Sequence, residues 1–84
     1  MDEKLQMKIR QGIFDYGKPF CTTNLYIYFK RLGITDKGAI LNVLDTMFDE
    51  GVVIYAETPE PYNQIENAPR YAFMVKWGKD ILWR

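Results

Sequence analysis

Thr35-Asp-Lys-Gly-Ala-Ile-Leu-Asn-Val-Leu-Asp-Thr-Met-Phe-Asp-Glu-Gly51, followed at once by Val52-Val-Ile-Tyr-Ala-Glu57, is the stretch whose reading decides the fold. Ile40, Leu41, Leu44, Met47 and Phe48 make one continuous apolar stripe at helical spacing. Thr35 or Asp36 can cap the start, and Gly51 supplies the stop. The period then falls to two, with Val53 and Tyr55 pointing one way and Val52, Ile54 and Ala56 the other. The stretch predicts a capped helix, a glycine stop and a strand.

Upstream, residues 3–16 read as a first helix. Leu5, Ile9 and Ile13 sit four apart on one face, Phe14 and Tyr16 widen it, and Asp2 is a fitting N-cap. Gly17 and Lys18-Pro19 end it. Phe20-Cys21 is long enough for a short strand. Thr22 and Thr23 are good caps for a second helix from Asn24 to about Leu32, with Leu25, Tyr28, Phe29 and Leu32 on its core side and Gly33 closing it. The connection Gly33-Ile34-Thr35 has the length of a helix-turn-helix turn. Downstream, residues 58–69 hold three prolines and no apolar period, the signature of a long irregular hairpin tip. Arg70 to Trp77 alternates again, with Tyr71, Phe73, Val75 and Trp77 on one side. The expected core is Ile9, Ile13, Leu25, Phe29, Leu32, Ile40, Leu44, Met47, Phe48 and Tyr71.

A chain of 84 residues has room for one small core, and 48% hydrophobic with 15% aromatic residues places it among globular proteins. Residues 1–84 are therefore read as a single domain. Its apolar runs are too short for a membrane span, and the start Met-Asp-Glu-Lys-Leu-Gln lacks the features of a secretory signal. One cysteine, Cys21, cannot form an internal disulfide, so the expected setting is the reducing cytoplasm, at the nucleoid if the chain binds DNA. Residues 79–84 form an apolar tail. Ile81, Leu82 and Trp83 either fold back onto the first helix or form a contact between two copies.

Net charge is zero, but the charges are segregated. Residues 1–34 carry six basic against three acidic side chains, residues 35–68 one against seven, and residues 69–84 four against one. The acidic block contains the third helix. Asp45, Asp49, Glu50 and Glu57 give it and the following strand an anionic face suited to a basic protein.

Enzyme chemistry finds few residues to work with. The chain has no histidine, which removes the commonest general base, metal ligand and triad partner. Cys21 has no activator beyond the start of the second helix. Asp45 and Asp49, four apart, could share a hard cation, but a solvated surface pair is the plainer reading. The glycines fall singly or at element ends and build no phosphate loop. The sequence predicts no catalytic residue, no cofactor and no metal.

The order helix, short strand, helix, helix, strand, wing, strand over residues 3–77 resembles the winged helix-turn-helix superfamily, an α+β fold of three helices and a two- to three-stranded β-hairpin wing. Leu32-Gly33 to Gly51, with Pro69-Arg70-Tyr71 after the wing, looks like the Z-nucleic-acid-binding domains in architecture. That family places an asparagine and a tyrosine on the third helix, where this chain has Leu41 and Asp45. It places a proline and a tryptophan in the wing, where this chain has Pro69 and Tyr71. The resemblance implies a small regulator acting at DNA, directly or within a complex, with the third helix in the major groove. Lys30, Arg31, Lys37 and Arg70 would then hold phosphates, and Thr35, Asn42 and Thr46 would face base edges. The alternative is a protein-binding module or inhibitor that presents the acidic face Asp45, Asp49, Glu50 and Glu57 to a basic partner, as a DNA mimic would.

Overall fold

The computed structural model describes residues 2–77 and 80–81, with Trp77, Asp80 and Ile81 described in backbone alone. Three helices, α1 (Glu3–Tyr16), α2 (Thr22–Arg31) and α3 (Lys37–Asp49), precede a sheet of β1 (Val53–Glu57), β2 (Tyr71–Trp77) and the two-residue β3 (Asp80–Ile81). The strands are antiparallel in the order β1-β2-β3. The architecture is α+β and compatible with a winged-helix arrangement.

Local chemistry fixes the ends of these elements. Asp2 caps α1 by accepting from the Lys4 N–H, and Asp36 caps α3 by accepting from the Ala39 N–H at 3.0 Å. The close of α3 is a Schellman motif, with Gly51 at φ 76° donating to the Phe48 carbonyl and Val52 donating to Met47. Gly33 and Ile34 repeat the pattern at the end of α2, donating to Lys30 and Phe29. Both turns need a residue that accepts the left-handed conformation, and glycine does so without steric cost. The start of α2 differs from the sequence expectation. The helix begins at Thr22, and the Asn24 side chain reaches back to the Cys21 N–H at 2.8 Å, so no threonine hydroxyl serves as the cap.

Phe20 forms a single bridge to β2 in place of a strand. It exchanges two backbone hydrogen bonds with Phe73, at 2.8 and 2.9 Å, and stacks its ring on that of Phe73. In the hairpin, Val53 lies opposite Val75, Tyr55 opposite Phe73 and Glu57 opposite Tyr71, so these six share one face. The long tip between the strands contains a short 3-10 turn, Tyr62–Gln64, and is tied at its base. There the Thr58 hydroxyl donates to the Pro69 carbonyl at 2.7 Å, and Thr58 N–H donates to Arg70.

The core lies among the three helices and the helix-proximal end of the sheet. Ile9 and Ile13, Leu25 and Phe29, Ile40, Leu44 and Met47 meet there with Phe20, Val53 and Val75. Ala39 and Val43 complete the buried side of α3. Gly12 lets α1 and α2 approach closely, because a Cβ at that position would fall 2.4 Å from the Phe29 ring. Three expected core residues lie outside. Leu32 is 58% exposed because it is the cap residue of α2, where the chain leaves helical geometry and the stripe with it. Phe48 is 47% exposed because the buried sector of α3 is centred on Ala39, Ile40, Val43, Leu44 and Met47, which leaves Phe48 at its edge. Tyr71 is 43% exposed because it opens β2 at the end remote from the helices. Of the apolar tail, Ile81 pairs with Lys76 through its backbone, and Leu82 and Trp83 lie outside the described residues.

Candidate functional site

At 3.6 residues per turn, burial of Ala39, Ile40, Val43, Leu44 and Met47 leaves Gly38, Asp45 and Asp49 on the outermost line of α3. Both carboxylates are exposed, and neither forms an ion pair among the described residues. The flanks of this line turn in different directions. Asn42 and Thr46 lean toward α1 and line a groove with Gln6, Met7 and Arg10. The Thr46 hydroxyl there is committed to the Asn42 carbonyl of its own helix at 3.0 Å. Lys37 and Phe48 flank the other side.

The candidate phosphate-binding residues are divided among separate surfaces. Lys30, Thr35 and Lys37 line one crevice of about 410 Å³ between α2 and α3, with Thr23, Tyr26 and Ile27. The Lys37 ammonium sits over the Tyr26 ring at 5.1 Å, and Ile27 is half exposed beside Lys30. Arg31 belongs to a different hollow, with Tyr16, Lys18 and Tyr28. Burial raises the Tyr16 hydroxyl above its ordinary value of 10.0, with Cys21 and Tyr28 adding to the rise and Arg31 opposing it. Arg70 lies on the wing, its Nε 3.8 Å from Glu57 and its guanidinium over the Tyr71 ring at 5.7 Å. Glu50 is bound to Arg10 at 2.7 Å, joining the end of α3 to α1.

Beside Asp45 the surface is aromatic. Phe48 meets the Phe73 ring edge-on at 6.4 Å, and Tyr55 lies against Phe73 at 4.8 Å. Tyr71 stacks on Tyr55 at 5.9 Å. Phe48, Tyr55 and Tyr71 are each about half exposed, so the rings form a continuous shelf from α3 across the sheet face. At its head Leu44, Asp45, Phe48, Tyr55 and Phe73 line an open hollow of about 300 Å³. Sequence reasoning missed this shelf. Its signals were the like alternation of Tyr55 in β1 and of Tyr71 and Phe73 in β2, but joining them to Phe48 requires the packing of α3 on the hairpin.

Among the described residues no group of three or more His, Cys, Asp or Glu side chains could hold a metal, and no helix is long and apolar enough to cross a membrane. No protein-family profile, curated protein sequence or solved structure matches the chain.

Proposed function

We propose that this chain is a small non-enzymatic regulatory module of winged-helix type that binds a basic protein partner through the acidic outer face of α3 and the adjoining sheet. The observation that carries this reading is the outermost line of α3, where Asp45 and Asp49 stand exposed and, among the described residues, without an ion-pair partner. A helix laid into the major groove would press both carboxylates toward phosphates, and duplex affinity depends mainly on phosphate neutralisation. Against a basic protein the same charges steer encounter and fix register. The neighbouring shelf supplies exposed ring area, and aromatic side chains are enriched in interface cores.

Direct contact with DNA is the second reading, favoured by the crevice in which Lys30 and Lys37 stand close to Thr35. Its reach is limited because Arg31 and Arg70 lie on other surfaces and Arg70 is paired with Glu57.

A salt titration separates the two. Wild type, Asp45→Asn/Asp49→Asn and Lys30→Ala/Lys37→Ala are each titrated with random duplex DNA and with a short basic peptide. The proposal expects peptide binding that weakens in the aspartate variant, by roughly 0.2–1 kcal/mol per exposed pair lost, and no measurable duplex binding. Duplex binding that falls steeply with salt and disappears in the lysine variant would reverse the assignment.

A further inference from the structure

We propose that the head of the aromatic shelf, formed by Phe48, Tyr55 and Phe73 beside Asp45, is the seat for an arginine side chain of the basic partner. This rests on the functional reading above and names the group that the partner must present.

The molecule itself shows the chemistry twice. Arg10 lies over the Phe14 ring at 5.7 Å while its Nη1 bonds Glu50 at 2.7 Å. Arg70 lies over the Tyr71 ring at 5.7 Å with its Nε 3.8 Å from Glu57. In both places an aromatic face and a carboxylate together hold a guanidinium. Asp45 with Phe48 and Tyr55 is a further such combination, and among the described residues no cation pairs with this carboxylate. The ring quadrupole attracts a cation, and the carboxylate accepts its N–H groups at the rim.

Shape selects arginine over the other cations. The hollow is a wide shelf and not a closed box, since Phe48 and Tyr55 are about half exposed and Phe73 is a partly buried ring packed against both. A planar guanidinium can lie flat on the exposed ring surface of Phe48 or Tyr55 and still extend N–H groups to Asp45. An ammonium is a compact, strongly hydrated point charge, and stacking offers it less. A quaternary ammonium gains most where rings surround it, which these rings do not do. Tyr71, stacked on Tyr55 and already covered by Arg70, extends the same surface toward the wing.

The test uses an arginine–glycine repeat peptide and its lysine counterpart of equal length and charge, titrated into the full chain by calorimetry and by proton resonance. Wild type should prefer the arginine peptide by about fivefold or more, roughly 1 kcal/mol. The arginine side-chain methylenes should move upfield as they enter the ring currents. Phe48→Leu and Tyr55→Leu, both at exposed positions, should abolish the preference and the upfield shift, lowering arginine-peptide affinity more than lysine-peptide affinity. Asp45→Asn should weaken both peptides. Equal affinity of wild type for the two peptides, or a preference that survives loss of the rings, would overturn the arginine seat and leave the acidic-face reading standing. Binding of neither peptide would overturn both. Self-association that rises with chain concentration and is lost in Tyr55→Leu would assign the seat to a second copy, and the proposal would fail.

Discussion

Gly12→Ala should destabilise this protein although the substitution lies inside a helix, where alanine is the better residue. In an unobstructed helix interior the change gains about 1 kcal/mol. Here the new methyl carbon would lie 2.4 Å from Cε1 and 2.8 Å from Cζ of Phe29, whereas carbon pairs rest at about 3.5–4.0 Å. More than about 1 Å of clearance must be found. The Phe29 ring has nowhere to go, being fully buried and held edge-to-face by Tyr28 at 5.3 Å. The helices must part or the ring must leave its rotamer, at a cost of about 1–3 kcal/mol and occasionally more. Set against the propensity gain, the net is a loss of up to about 2 kcal/mol, a large share of the stability of a small domain. Urea unfolding should show a lower midpoint with an unchanged slope. Phe29→Leu removes the two clashing ring atoms, so adding Gly12→Ala to that variant should be neutral or stabilising. A higher midpoint for Gly12→Ala alone would mean that α1 and α2 separate without cost, and the reasoning would be wrong.

Other parts of the structure give further expectations. Leu44→Ala, at a site 3% exposed in the middle of the α3 core face, should cost about 2–5 kcal/mol by denaturant titration. Thr58→Val keeps the side chain's size but removes the hydroxyl that donates to the Pro69 carbonyl. It should cost about 1 kcal/mol, visible as a lower Tm. Tyr16 governs an alkaline limb. Because its folded-state pKa is raised, the folded chain keeps a proton that the unfolded chain releases, so its contribution is complete below about pH 10 and is lost as pH rises beyond that. Tyr16→Phe should flatten this limb of midpoint against pH, and an unchanged limb would assign it to another group.

The fold was legible wherever the chain carries its own punctuation. Asp2, Asp36, Gly33 and Gly51 act on backbone groups within a few residues, so the helix limits they set could be read without knowledge of neighbours. Burial was legible only in part. Periodicity weights bulky residues, so Leu41 and Phe48 outweighed Ala39 and Val43, although the two small residues face the core. Leu32 keeps helical spacing in sequence after the helix has ended in space. The acidic character of α3 was plain from Asp45 and Asp49, but the division of the cations was not. Lys30 and Arg31 are adjacent in the chain yet serve different hollows, because neighbours on a helix point well apart. The aromatic shelf was least accessible, since it is assembled from a helix end and two strands whose register no local signal reports.

The pairing of Phe20 with Phe73 has a kinetic side. The helices and the β1–β2 hairpin join residues near one another in sequence, and such contacts form early at small entropic cost. The bridge instead connects the segment between α1 and α2 to β2, a far longer loop to close, so it is expected to form late. Contacts made after the transition state leave the folding rate almost untouched and act on the rate of unfolding. Breaking the two backbone hydrogen bonds or the stacked ring pair at this seam is therefore expected to speed unfolding more than it slows folding, which the two arms of a denaturant chevron would read.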